Sequence, residues 1–265
     1  MNELRAPSRQ GLLATAEIAQ FAGSVLREVW GLRVAAFFGE ALRQAGIIIV
    51  GSTAIIWTLM FILGLQCGIE GAYFTAAQGA PAAAGLFTAL CDLREVTPLA
   101  FGYMMAAKVG TGIVAELGAM RINDEIDALE VMGVDSRTFL CATRLLASWM
   151  VLPFVYMTGI GAAFLASYVA VVRQVGYVSG GGYLLVFWQF QSPTDCLFSI
   201  VKAMSMATAI VLVAAYYGYN ASGGPVGVGR ATAKSMVLNL VLVHLIGMLG
   251  TAVFWGGNAR APIGG

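Results

Sequence analysis

Long uncharged runs separated by short polar segments dominate the chain. Gly46 to Gln66 carries no ionisable side chain. It is long enough to cross a bilayer, since about 20 helical residues span the hydrocarbon. Leu99 to Ala119, Phe139 to Val172, Phe198 to Tyr219 and Met236 to Trp255 read the same way. Lys108 falls in the middle of the second run, and Arg144 and Lys202 near the starts of the third and fourth. Pro153 predicts a kink inside the third. Ahead of these spans, residues 13–43 mix Phe21, Val25, Trp30 and Phe37 with Arg27, Glu28, Arg33, Glu40 and Arg43. That segment is too charged to span and predicts an amphipathic helix lying in the membrane interface. Residues 67–93 are mixed and broken by Gly79, Ala80 and Pro81. Their apolar piece, Ala82 to Cys91, is too short to span and is expected as a short or re-entrant helix at the far face. Residues 173–197 and 220–235 read as glycine-rich loops, the first with aromatics suited to an interfacial belt. Residues 1–12 and 257–265 read as tails around a single domain, 13–256.

The expected fold is therefore an all-α integral membrane protein: an interfacial helix, five spans, and a short helix between the second and third spans. Composition agrees. The 265 residues are 59% hydrophobic and only 11% charged, against about 25% charged in soluble domains. A net charge of +1 implies no polyanionic partner, so nucleic acid is excluded. Cys67, Cys91, Cys141 and Cys196 lie far apart with no CxxC pair, which argues against a metal site or a disulfide framework. They read as small apolar residues within the membrane. The polar, basic N-terminus does not read as a secretory signal.

Loop charge sets the orientation. With the N-terminus inside, the inner side holds Arg5, Arg9, Arg27, Arg33, Arg43, Arg121, Arg137, Arg144, Arg230 and Lys234. The outer side holds Arg94, Arg173 and Arg260, with Lys202 close by. The positive-inside rule then puts the N-terminus and the acidic loop at 120–138 in the cytoplasm and the C-terminus outside.

Three constellations carry possible function. At residues 123–132, Asn123 can cap a helix whose first turn holds Asp124 and Glu125, where negative charge suits the dipole. Ile126, Leu129 and either Met132 or Val131 recur at helical spacing as an apolar face, Asp127 and Glu130 lie beside it, and Gly133 can end the helix in the left-handed conformation. Such a helix either rests on the membrane or docks into a protein groove. Its acidic charge disfavours anionic headgroups and favours docking. Second, Arg94 and Glu95 stand at the outer end of a span. They form either an interfacial ion pair or a gate or headgroup contact at a cavity mouth. Third, Lys108 and Lys202 place charge at membrane depth, where it is costly and tends to face a bundle interior or cavity. Lys202 is near enough to a span end to snorkel, so Lys108 is the more notable polar site. His244 reads as a hydrogen-bonded packing residue. No GxSxG, HExxH or nucleotide-binding loop occurs, so no catalytic residue, metal or cofactor is expected in this chain.

LREVTPL at 93–99, AELGAMRINDEIDALEVMGVD at 115–135 and GRATAKSMV at 229–237 resemble the MlaE/YrbE permeases, the membrane subunits of lipid-transporting ABC systems that work with MCE proteins. The resemblance runs from about residue 20 to 256. It implies that the helix from Asp124 through Met132 to Gly133 is a coupling helix seated in a cytoplasmic ATPase, which would bind the ATP and Mg. It also implies that Arg94, Glu95 and Lys202 lie near the outer end of a lipid cavity built from the first, second and fifth spans, that two permease subunits form the membrane core, and that MCE proteins sit on the outer face. Lys108 stands where relatives often carry arginine, and Thr97 where they usually carry glycine. In style the chain is closer to actinobacterial Mce-system permeases, in which two paralogues commonly pair, so a heterodimer is expected over a homodimer. The implied function is ATP-driven lipid movement, in the import direction. The alternatives are an ion- or proton-coupled carrier using Lys108 and His244, and a structural membrane anchor for outer-face partners.

Overall fold

The computed structural model describes residues 6–31 and 33–257, so of the tails expected at 1–12 and 257–265 only 6–12 and 257 are among the described residues. No strand occurs among the described residues. The elements are α1 (Ala6–Trp30), a 3₁₀ turn (Arg33–Phe37), α2 (Phe38–Ala77), α3 (Pro81–Ile122), α4 (Glu125–Val131), α5 (Thr138–Val175), α6 (Gly180–Gln189), α7 (Pro193–Tyr219) and α8 (Gly224–Trp255). Among the described residues, five helices are long and apolar enough to cross a membrane: α2 with its preceding turn, α3, α5, α7 and α8.

Several boundaries differ from the expected ones. Residues 6–12 are already helical, and the amphipathic stretch 13–43 is split by the 3₁₀ turn, with its last residues starting α2. Residues 82–91 are not a separate or re-entrant helix. They are the first turns of α3, with Pro81 in the opening turn, where its missing N–H costs nothing. The loop at 173–197 holds α6, whose Ser179 side chain accepts from the Gly182 N–H at 3.2 Å, and it also holds the start of α7. The loop at 220–235 is mostly α8. The common cause is length. The 40 residues of α2 rise about 60 Å at 1.5 Å each, roughly twice the hydrocarbon thickness, so hydropathy marks only the middle of each helix.

The described residues form two compact units. The first comprises the chain up to Ile47, Ala107–Met150 and Thr208–Asn239. In it Phe21 meets Tyr216 edge-on at 5.6 Å and Phe37 meets Phe139 at 5.3 Å. A Cβ on Gly218 would lie 2.8 Å from that of Leu117, so α7 and α3 approach as closely as glycine allows. Arg144, read from sequence as an inner-side cation near the start of the third span, is buried here. It pairs with Glu116 at 2.8 Å and donates to the Leu140 carbonyl at 2.6 Å.

The second unit comprises Ile48–Ala106, Val151–Ala207 and the chain from Leu240. Gly64 and Gly68, spaced as GxxxG, let α2 lie against Ala163 and Ser167 of α5: a Cβ on Gly64 would come within 2.5 Å of the Ala163 carbonyl oxygen. Tyr183 and Phe187 of α6 pack on Ala84 and Ala89 in the first turns of α3 and meet Phe164 and Tyr168 of α5 in an aromatic cluster. Against the reading of the cysteines as isolated, Cys67 and Cys91 form a disulfide between α2 and α3. The turn at 78–80, with Gly79 at φ +74°, folds the two helices back on one another and brings together residues 24 apart in sequence. Closing that loop is worth about 3 kcal/mol in the chain-entropy account. Cys67→Ser is therefore expected to lower the melting temperature by several degrees, and reductant should do the same to the wild type but not to the variant. Thermal unfolding in detergent with and without reductant checks this.

Candidate functional sites

The charged cluster of the second unit begins with a proline. Pro98 has no N–H to return to the preceding turn of α3, and that turn, Asp92–Val96, is π-helical. The carbonyls of Leu93 and Arg94 are satisfied from α7 instead: Ser199 Oγ donates to the first at 2.5 Å and Lys202 Nζ to the second at 2.8 Å. The widened turn aims Arg94 and Glu95 at two different partners. Arg94 Nη2 pairs with Asp195 Oδ2 at 2.9 Å, both side chains buried. The other oxygen of Asp195 accepts from Trp255 Nε1 at 2.9 Å, and the Arg94 guanidinium lies over the Trp255 ring, 5.3 Å from its centroid. Lys202 is fully buried and satisfies all three ammonium protons: on the Arg94 carbonyl, on Glu95 Oε2 at 3.0 Å and on Thr251 Oγ1 at 2.7 Å. Thr251 in turn donates to Glu95 Oε1 at 2.5 Å. Gly250 makes room for the lysine stem, since a Cβ there would lie 3.1 Å from Lys202 Cγ.

The three residues expected near a cavity, Arg94, Glu95 and Lys202, are thus brought together, but two cations and two carboxylates neutralise one another. Of these four only Glu95 is substantially exposed. It and Arg94 line an apolar cavity of about 600 Å³, whose other walls include Phe74, Leu86, Phe87, Leu90 and Trp255. Sequence reading missed Asp195, Ser199, Thr251 and Trp255. The spacing 195/199/202 (i, i+4, i+7) is a polar stripe on one helical face, but composition puts Asp195 in the glycine-rich loop 173–197. Asp92 was also missed. It is fully buried, hydrogen-bonded to Ser167 and adjacent to the disulfide. With both sulfurs bonded to each other, no thiolate remains there for a metal.

The short acidic helix lies in the first unit. Asn123 closes α3 rather than capping the next helix, and Asp124 takes the left-handed conformation at φ 58° as the residue before α4. Gly133 ends the helix as expected, at φ +77°. Val134 N–H bonds the Leu129 carbonyl and Gly133 N–H the Glu130 carbonyl, both at 3.0 Å, a Schellman closure. Ile126 is buried and Leu129 half-buried, while Met132 does not share their face and is exposed with Val131. Asp127 pairs with Arg121 at 2.6 Å. Glu130 accepts from Ser136 at 2.7 Å and from Tyr219 at 3.1 Å, which ties the helix to the starts of α5 and the end of α7. Asp124, Glu125, Val131 and Met132 remain outward.

Lys108 is exposed within a second π-helical turn, Met105–Gly110, and no carboxylate lies within ion-pair distance of it among the described residues. His244 Nδ1 faces the Leu240 carbonyl at 2.8 Å and Nε2 faces the Tyr103 hydroxyl at 2.9 Å. The carbonyl can only accept, so Nδ1 donates to it, and the exposed His244 is held between its own helix and Tyr103 of α3.

An apolar chamber among membrane-spanning helices, whose charged groups consume one another rather than surround a reacting atom, is a feature of a membrane transport protein. The profile of the family described as Permease MlaE matches residues 41–253, and the chain belongs to that family. A probable ABC transporter permease protein of Rickettsia bellii is 26% identical over 224 residues, covering 84% of this chain and 86% of the relative. Another from Rickettsia conorii is 30% identical over 162 residues, 61% of this chain and 62% of the relative. The intermembrane phospholipid transport system permease protein MlaE of Haemophilus influenzae is 25% identical over 219 residues, 83% of this chain and 84% of that protein.

Proposed function

We propose that the chain is the permease subunit of an ATP-driven lipid transporter in the cell membrane, with its N-terminus cytoplasmic and its C-terminus outside. The observation that carries this reading is the apolar cavity of about 600 Å³ bordered by the balanced Arg94–Asp195 and Lys202–Glu95 pairs. Such a chamber accepts acyl chains and discriminates among them weakly, while Glu95 offers one acceptor for a polar end group. The relative whose name records phospholipid transport supports the substrate class. The Cys67–Cys91 disulfide supports the orientation, because such bonds persist on the oxidising side of a membrane and the loop charges assign that end to the outside.

In this reading α4 seats in an ABC ATPase that binds the ATP and Mg. Asp124, Glu125, Val131 and Met132 form the contact, and Glu130, Asp127 and Gly133 hold the helix in place. A second permease, a paralogue, completes the membrane core, and Lys108, an exposed cation at membrane depth, faces that partner or the shared cavity. MCE proteins on the outer face exchange lipid with the chamber, in the import direction. His244 has no carboxylate within ion-pair distance among the described residues, which weighs against a proton relay. The test is reconstitution of the purified complex in vesicles, with bound lipid identified by mass spectrometry. Lipid transfer should require ATP and the ATPase. Transfer that persists without the ATPase but collapses with the proton gradient would overturn the proposal in favour of a secondary carrier.

A further inference from the structure

The end of the first unit where α7 gives way to α8 carries charge that neither the cavity cluster nor α4 uses. A concave pocket of about 320 Å³ lies there, and Tyr216, Tyr217, Asn220, Ser222, Arg230 and Lys234 supply its polar lining. Arg230 and Lys234 are four residues apart on α8 and share one face, both exposed. No carboxylate lines the pocket. Among the described residues, none lies within ion-pair distance of either cation. Glu17, on α1, is outside the lining and accepts from the Tyr216 hydroxyl at 3.0 Å. The rim is shaped by glycine. Gly223 and Gly224 sit at φ +87° and +69°, and a Cβ on Gly227 would fall 1.7 Å from the Ser222 carbonyl oxygen. That turn is closed tightly, and Ser222 lines the same pocket as the two cations.

The pocket's place in the fold narrows its ligand. It lies at the ends of two helices that cross the membrane, which is the plane of the lipid headgroups, and a tyrosine at that level is an ordinary interfacial anchor. In a chain with so few charges, two cations without counter-ions around a concave polar surface call for an anion. Arg230 supplies a fork for two phosphate oxygens and Lys234 a point charge, with hydroxyl and amide donors beside them. We propose that this pocket binds the phosphate of an anionic membrane lipid from the leaflet at that end, as a resident site separate from the transport cavity. The inference rests on membrane embedding and not on the transport reading.

The test is native mass spectrometry of the detergent-purified complex titrated with phosphatidylglycerol, phosphatidylcholine or inorganic phosphate, for wild type and the R230Q/K234Q variant. Wild type should retain phosphatidylglycerol over phosphatidylcholine, and the variant should bind phosphatidylglycerol about thirty-fold more weakly, from roughly 1 kcal/mol per cation at a membrane surface. Both side chains are exposed, so the variant should melt with wild type. If it does not fold, Arg230→Gln alone is read the same way with a smaller loss. Equal phosphatidylglycerol affinity in wild type and variant overturns the proposal. So does binding of inorganic phosphate as tight as the lipid, which would make this a free-anion site. Loss of the ATPase from the variant with lipid retention unchanged also overturns it, because the surface would then be a protein contact.

Discussion

Asp195→Ala is expected to destabilise the protein by about 3–5 kcal/mol, because it strands a buried guanidinium without its counter-charge. Asp195 is 1% exposed and holds two partners, Arg94 at 2.9 Å and Trp255 Nε1 at 2.9 Å. Removing it takes the counter-charge from a guanidinium that lies over the Trp255 ring and borders an apolar cavity. Trimming Glu95 costs stability for the same reason, since the fully buried Lys202 loses its carboxylate partner and keeps the Arg94 carbonyl and Thr251 as acceptors. The measurement is thermal unfolding followed by fluorescence-detected size exclusion. A D195A protein that melts with wild type would show that the pair is not buried as described. The double replacement of Arg94 by Met and Asp195 by Leu should recover most of the stability, because a buried ion pair is at best a weak net stabiliser compared with well-packed apolar groups. That double variant also separates two roles for Arg94. If it folds and still moves lipid, Arg94 serves the architecture of the cavity mouth. If it folds and does not, the guanidinium is needed in the transport cycle.

The transmembrane core was legible because five apolar runs have no other solvent that suits them. The helix ends were not, because each helix extends beyond the hydrocarbon, where composition becomes mixed. Pro98 shows the difficulty. By its own chemistry it argues for a break in α3, and the helix continues only because Ser199 and Lys202, about a hundred residues later, supply the donors its turn lacks. Arg94, Glu95 and Lys202 could be singled out by resemblance. That they form a neutral network could not, because Asp195 and Trp255 reach them only through the packing of α3, α7 and α8. The disulfide was hidden for the same reason. At α4 the period pointed to Ile126, Leu129 and either Met132 or Val131 on one face. The helix stops at Val131, however, and the last apolar residue turns outward, which makes it more available to a partner than the sequence implied.

That outward turn sets the expectation for Val131→Asp with Met132→Asp: a permease that folds and enters the membrane but loses its ATPase. Val131 is 89% and Met132 69% exposed, so neither substitution opens a core, and charge at an exposed site changes stability by less than about 0.5 kcal/mol. Buried under a partner, two such apolar side chains at the end of a short helix have the character of interface anchors, worth about 2 kcal/mol or more each. Their replacement should weaken association by at least about thirty-fold. Glu130→Ala should behave in the opposite way. It removes the acceptor for Ser136 and Tyr219 that ties α4 to its own unit, so the permease itself is destabilised and any loss of the ATPase follows from that. Pull-down of the ATPase with each variant, beside its melting temperature, distinguishes the two. If V131D/M132D retains both the ATPase and lipid transfer, α4 is not the coupling element. Its exposed apolar pair would then rest on the membrane surface, where two added carboxylates should be tolerated poorly and shift the protein's vesicle affinity instead.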